Sequence, residues 1–256
     1  MNDAAFGGDP GRWPLPPAST PQELWWRAVA AGGQGRYACA MTDLELLRRE
    51  LSGGRLASLA WSTHASFARQ LGWHDRARSL DGKALTLSGD DGEAAADALI
   101  GLAADALGVG RFAASARALQ RAADLVSGSS VARLPVRFAW VSAELAMSRG
   151  DGGAAVDHAE RALHLAGTLG STRHRIKSGV VLAAARCSCG DVAAARRQAD
   201  EVLVTAGASG LVPLRWAVAC LLCDIGSGQH LPAEVAAIRD CCVETVTRRG
   251  GVWRSR

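Results

Sequence analysis

The chain has 256 residues, of which 48% are hydrophobic and 21% charged, a composition ordinary for a folded protein that excludes wholesale disorder. Its net charge of +4 comes mainly from arginines interleaved with acidic residues, which argues against the basic stripe of a nucleic-acid-binding protein. No apolar run approaches the roughly 18 residues of a membrane span. We therefore expect neither a membrane nor a nucleic acid as partner.

Residues 1–19 are rich in proline and glycine and show no helical period, which predicts a flexible leader. The segment also lacks the basic start and apolar stretch of a secretory signal. Order is expected to begin at Thr20, which can cap a helix, while Pro21 suits the first helical position and Glu23 can complete a capping box. Seven cysteines, an odd number without disulfide-domain spacing, indicate reduced thiols and a cytoplasmic location.

From residue 20 onward the chain repeats itself. Helical segments end at glycines spaced by 37, 38, 40 and 40 residues, namely Gly35, Gly72, Gly110, Gly150 and Gly190. An alanine stands seven residues before each glycine, at Ala28, Ala65, Ala103, Ala143 and Ala183. A small residue stands five residues after each, at Ala40, Ala77, Ser115, Ala155 and Ala195, and twelve residues after come Leu47, Ala84, Ala122, Ala162 and Val202.

This register predicts stacked helix pairs. Each glycine can supply the left-handed turn that ends a helix, and each small residue marks a close helix crossing. One pair cannot bury its own apolar face, so neighbouring pairs must stack. A sixth pair is expected from residues 214–225 and from a helix opened by Pro232 and Glu234. The sequence thus predicts an all-α solenoid of about six antiparallel pairs over residues 20–247, followed by a frayed basic tail at 248–256.

The repeated residues resemble the tetratricopeptide repeat family. The second unit is the most similar, with Trp61, Ala65, the turn Gly72, Ala77 and Ala84 at family positions, and the first unit has Tyr37 at the family's aromatic position after Gly35. Later units retain the glycine and alanines, as in Gly150-Asp151-Gly152 with Ala155 and Ala162. The units are longer than the usual 34 residues, and the proline between units is missing from most junctions.

The resemblance implies that the first helix of each pair lines a concave groove. Transferring the family's groove register by the glycines places five candidate ligand-binding residues there: Arg69, Arg137, Trp140, Glu144 and Lys177. Arginine and tryptophan often carry binding energy at interfaces, and the three cations would make the groove basic. We therefore expect an adaptor that binds a protein or peptide segment, with an acidic or C-terminal peptide as the natural ligand.

Three alternatives stay open at the level of sequence. Cys187 and Cys189 on one helix could face Cys220 and Cys223 on the next, which would give a regulatory module with a metal or redox site. An enzyme with its site in the groove would need an acid–base pair, and Glu144 is the obvious carboxylate there; no motif predicts a reaction or a cofactor. A homodimer could form through an exposed end of the stack.

Overall fold

The computed structural model describes residues 1–255, which form helices and no strands. The helices are α1 (Asn2–Phe6), α2 (Pro21–Gly33), α3 (Tyr37–Glu50), α4 (Arg55–Gln70), α5 (His74–Leu87), α6 (Gly92–Gly108), α7 (Phe112–Ser127), α8 (Arg133–Ser148), α9 (Gly152–Thr168), α10 (Thr172–Ser188), α11 (Val192–Ala208), α12 (Val212–Ile225) and α13 (Pro232–Arg248). From α2 onward they pack as six consecutive antiparallel pairs. The all-α solenoid predicted from the sequence is confirmed.

The predicted helix start at residue 20 is confirmed in detail. The Thr20 side chain accepts a hydrogen bond from the Glu23 amide, the Glu23 carboxylate accepts one from the Thr20 amide, and Pro21 occupies the first helical position. The reciprocal bonds satisfy amides at a helix end that would otherwise lack a partner. The first repeat unit therefore begins at the position that its sequence specifies.

The periodic glycines and small residues have the roles predicted for them. All five repeat glycines adopt positive φ, between +73° and +91°, and each follows the first helix of a pair. The five alanines that precede them are completely buried, as are the small residues five positions after them. Because these residues have little or no side chain beyond Cβ, helices of one pair and of the next approach closely.

The first helices of the pairs form the inner layer of the solenoid. Each packs against the next first helix as well as against its own partner, in the order α2, α4, α6, α8, α10 and α12. The second helices lie outside this layer. Buried clusters follow one another along the stack, with Leu44, Leu134 and Leu222 among the fully buried side chains. Within residues 1–255, no helix is both long enough and apolar enough to cross a bilayer.

The last unit returns to the first, so the solenoid closes on itself. The amide of Ala38, at the start of α3, donates to the carbonyl of Arg249 over 3.0 Å. The Arg249 guanidinium donates to the carbonyl of Gln34 over 2.7 Å. Val246 of α13 is completely buried in the same cluster as the residues of the first unit.

The C-terminal segment extends this closure, in contrast to the frayed tail expected from the sequence. The Arg254 amide donates to the Leu71 carbonyl over 2.9 Å, and the Trp73 indole N–H donates to the Val252 carbonyl over 2.8 Å. Trp253 packs on Trp216 with ring centroids 4.5 Å apart. These apolar and backbone contacts hold residues 249–254 in place, whereas the sequence suggested only their positive charge. Arg256, at the end of the expected tail, lies outside the described residues.

The leader is packed as well, which differs from the flexible segment that its composition suggested. Ala4 and Ala5 of α1 are buried, and α1 contacts both α2 and α10, from the first and fifth units. The Thr172 amide donates to the Gly7 carbonyl over 3.0 Å, and the Gln34 side-chain amide donates to the Pro10 carbonyl over 2.8 Å. Proline and glycine removed the helical period from this segment without preventing it from packing against the solenoid.

Candidate functional site

Charged side chains connect the inner helices at the centre of the solenoid. Asp97 of α6 accepts from Arg133 over 2.8 Å and forms an ion pair with Arg137 over 2.7 Å, both from α8. Glu93 in turn bridges Arg133, at 2.7 Å, and Arg55, at 3.2 Å. Burial raises the pKa of Asp97, but the attraction of Arg133 and Arg137 outweighs it and leaves this pKa below the usual range.

A cavity of about 50 Å³ lies beside this network, enclosed by α1, α2, α4, α6, α8 and α10. Its walls include Phe6, Trp25, Ser62, Ser66, Asp97, Arg133, Arg137, Arg173 and His174. We call it the arginine pocket, after the three arginines that line it. Asp97 is the one carboxylate among the lining residues, so the wall carries an excess of positive charge.

Arg173 and His174 begin the fifth unit and face this pocket. Burial, with smaller contributions from Arg137 and Arg133, lowers the pKa of Arg173 to about 10, so that its guanidinium stays protonated at neutral pH. Burial and then the neighbouring guanidinium groups hold the pKa of His174 well below its usual range. His174 is therefore a neutral ring, hydrogen-bonded to the Ser171 hydroxyl at 2.8 Å.

Phe6 of the leader closes one side of the pocket. Its ring centroid lies 5.3 Å from that of Trp25 and 6.1 Å from that of His174. The guanidinium groups of Arg173 and Arg133 lie 5.6 and 5.8 Å from the Phe6 ring. A second cavity of about 270 Å³ shares Phe6, Trp25 and Arg133 with the arginine pocket, so Phe6 forms part of the wall between the two.

Of the five residues proposed from the sequence, only Arg137 lines the arginine pocket. Trp140 lies next to it: its indole N–H donates to the Ser178 hydroxyl over 2.8 Å, and its ring stacks on His174 at 5.4 Å. Lys177 and Glu144 form an ion pair with each other over 3.2 Å and are about one-third exposed. These residues share one region of the inner face, and their role in ligand binding stays a prediction.

Arg69, the fifth of them, joins the second and third units. It forms ion pairs with Asp81 of α5 and Asp105 of α6, whose side chains are completely buried, and donates to the Gly101 carbonyl over 3.0 Å. Burial raises the pKa of Asp81 to about 8 against the opposing attraction of Arg69, and it raises the pKa of Asp105 as well. A proton held by this carboxylate pair leaves Arg69 facing about one negative charge.

The acid pair bears on the alternative of an enzyme in the groove. Two carboxylates with raised pKa values are the kind of pair that acid–base chemistry uses. Asp81 and Asp105 nevertheless have no accessible side-chain surface, so a substrate in the groove cannot touch them. Their contacts across α4, α5 and α6 assign them to packing between units.

Several residues of the site were not among the sequence candidates. Arg133 and Arg173 stand at the first and second positions of their helices, where the transferred register did not point. Asp97 lies near the start of α6, four residues after Glu93 on the same face, and that i, i+4 acidic pair opposite Arg133 and Arg137 was a usable signal. No sequence signal marked Phe6 as a residue of the groove.

The cysteines form no evident metal centre. Among residues 1–255, no three His, Cys, Asp or Glu side chains come together in a way that could hold a metal ion. Cys187 is half-buried, while Cys189 and Cys223 are exposed. The cysteine-based regulatory site stays a hypothesis about reactive thiols.

No protein-family model matches the chain, and no curated protein matches it either.

Proposed function

We propose that the protein is a helical-repeat adaptor, of the kind that the tetratricopeptide resemblance implies, and that its inner face binds a segment of another protein. The support for this proposal comes from the leader. A short helix and the chain that follows it already lie against α2 and α10 as a peptide ligand would. This packing supports the proposal that the inner face accepts a peptide segment.

The leader is held by one apolar anchor and by contacts to its backbone. Phe6 is the anchor, between Trp25 and His174. The Thr172 hydroxyl donates to the Gly8 carbonyl over 3.2 Å, and the Gln34 side chain donates to the carbonyls of Pro10 and Arg12. Because backbone carbonyls are common to every peptide, these contacts would accept another segment that supplies an apolar side chain in place of Phe6.

The charge beside the anchor favours an acidic partner. Arg137 and Arg173 line the pocket next to Phe6. Lys177, four residues after Arg173 on α10, lies 5.9 Å from the Trp140 ring of α8 and pairs with Glu144. An apolar residue with an acidic residue close to it in sequence would satisfy both the aromatic wall and the arginines.

Exposed unpaired thiols, such as Cys39 and Cys189, agree with the reducing cytoplasm that we propose as the location.

The proposal is tested with the leader as its own probe. We would measure the binding of a labelled peptide of residues 1–19 to the full chain carrying Phe6→Ala, by fluorescence anisotropy or NMR. In the native chain the covalent leader competes with the peptide at an effective concentration in the millimolar range. The affinity of the peptide for the native chain should therefore be lower than its affinity for the variant by a factor of about ten or more.

The matched control is the same peptide with Phe6→Ala, which keeps every backbone contact and loses the anchor. Its affinity for the variant chain should fall by about tenfold or more, in line with the loss of a half-buried aromatic side chain. Equal binding of both peptides, or no binding of either, would contradict a peptide-binding inner face anchored by Phe6.

A further inference from the structure

The charges around the arginine pocket do not balance. Four arginines, Arg55, Arg133, Arg137 and Arg173, are linked to or adjoin a network that contains two carboxylates, Glu93 and Asp97. Each carboxylate is shared by two arginines, and Arg173 has none. Within residues 1–255, the Arg173 guanidinium forms no ion pair: it lies against the Phe6 ring, and the longer-range attraction of Asp97 is opposed by repulsion from Arg137 and Arg133.

Unused hydrogen-bond donors accompany this excess charge. Arg137 uses its Nε toward Asp97, and within the described residues its two terminal nitrogens have no partner. Arg173 contributes a whole guanidinium group, and an arginine carries five N–H donors in a planar fork. Since half-buried cations normally have an anionic partner, these two side chains mark a position that an anion can fill.

The surroundings of the position also favour an anion. Arg173 stands in the first turn of α10 and Arg133 in the first turn of α8, so both cations lie near the positive end of a helix dipole. The Ser62 and Ser66 hydroxyls donate to Asp81 and to the Thr63 carbonyl, which leaves recognition of a ligand to the arginines. His174, held neutral, adds no charge of its own to the pocket.

The size of the cavity limits the ligand. The volume of the cavity that is open to the centre of a water-sized sphere is about 50 Å³. A single water needs about 10–15 Å³ of volume measured in this way, so there is room for a few waters or for one small oxyanion. The two arginines without a full set of partners match a doubly charged anion better than a carboxylate, which carries one charge. Guanidinium forks suit the oxygens of phosphate in particular.

We propose that the arginine pocket binds a phosphate group, either free inorganic phosphate or a phosphomonoester, between Arg137 and Arg173. The group accepts hydrogen bonds from the terminal nitrogens of Arg137 and from Arg173, and Asp97 keeps the Arg137 guanidinium in position. The site uses the same two arginines that favour an acidic peptide, but phosphate binding does not require peptide binding. A chain that binds phosphate but not the leader peptide would refute only the peptide-binding proposal.

The test is calorimetric titration of the full native chain with inorganic phosphate, at constant ionic strength set by chloride. We expect saturable binding at one site. In Arg173→Met, which keeps the apolar stem and loses the donors, the affinity should fall about tenfold to a hundredfold. The control Arg175→Met removes an exposed arginine two residues further along α10 and should leave the affinity unchanged.

The place of binding is read independently from the Trp25 indole N–H, which donates to Thr63 in the pocket wall and should shift in NMR spectra on adding phosphate. Thermal melts confirm that both variants fold.

Titrations with phenyl phosphate and with acetate identify the kind of ligand. Tighter binding of phenyl phosphate than of inorganic phosphate points to a phosphomonoester, and tighter binding of inorganic phosphate points to the free ion. Absence of saturation, equal affinity in Arg173→Met, or acetate binding as tightly as phosphate would overturn the proposal.

Discussion

Replacing Phe6 with alanine should release the leader from the inner face. Complete burial of a phenylalanine makes its truncation cost about 3–5 kcal/mol. Phe6 is only half-buried but contacts two aromatic rings, Trp25 and His174, so we take about 2 kcal/mol as the expected loss in docking free energy. That loss corresponds to roughly a 30-fold increase in the ratio of undocked to docked leader.

One amide reports this equilibrium directly. Thr172 is the first residue of α10, and the first amides of a helix have no partner within it. The Thr172 amide donates instead to the Gly7 carbonyl over 3.0 Å, so its protection from hydrogen exchange depends on the docked leader. We expect its exchange rate to rise about 30-fold in Phe6→Ala, the same factor as the undocked population.

The matched control is Phe112→Ala, which truncates a phenylalanine that is 37% exposed at the start of α7. This variant should leave the exchange of Thr172 unchanged. If Thr172 exchanged equally fast in the native chain and in Phe6→Ala, the leader would not be anchored by Phe6. The reasoning about the inner face would then be refuted at its first step.

Three further predictions concern stability. Asp81→Asn should flatten the pH dependence of the unfolding free energy between pH 3.8 and about 8. In this range Asp81 of the native fold keeps a proton that the unfolded chain has lost, so native stability falls as the pH rises. Urea titrations at several pH values measure this dependence, and the native chain and the variant would show the same change of unfolding free energy with pH if Asp81 were ionised throughout. Ala143→Leu should destabilise the fold by about 1–3 kcal/mol because Ala143 is completely buried at a helix crossing. The control Ala113→Leu, at an exposed position, should cost little. Equal denaturation midpoints for the two variants would contradict a close approach of the helices at Ala143. Gly250→Ala should lower the unfolding free energy more than Gly190→Ala in the same assay. Both glycines have φ near +90°, but only at Gly250 would a Cβ collide with the first unit. Equal losses of stability would argue against closure of the solenoid.

The repeat architecture could be predicted because it depends on backbone geometry. A helix must end at each turn, and a glycine at positive φ ends it at little steric cost, so Gly72 and Gly190 are visible in the sequence. Ala65 and Ala143 are visible for a related reason, since larger side chains would separate the helices. The same argument would have revealed Gly170 and Gly210, which end second helices at φ of +70° and +64° and reduce the later repeat to 20-residue steps.

The docked termini could not be predicted in the same way. Some contacts of the leader join residues more than 160 positions apart, as between Gly7 and Thr172, and those that use backbone carbonyls leave no pattern in the sequence. Closure of the solenoid depends likewise on the angle accumulated over six units. A local repeat register defines each unit but not the total rotation.

The candidate site was predicted only in part. The transferred register included Arg137, which lines the pocket, and Trp140, whose ring stacks on His174 of the pocket wall. It missed Arg133 and Arg173 because both lie in the first turn of their helices, before the positions that the family uses. The same register assigned Arg69 to the groove, but Asp81 and Asp105 pair with it from helices that the sequence could not place beside it.

The claim that the inner face binds a peptide segment is tested most directly by locating the side chain at position 6 in solution. A photoreactive benzoylphenylalanine in place of Phe6 in the full chain, followed by irradiation and peptide mapping by mass spectrometry, identifies its neighbours. We predict adducts within the same molecule on α2 and α10, around Trp25 and His174. Adducts on the outer helices, such as α7 or α9, or no intramolecular adduct, would contradict the claim.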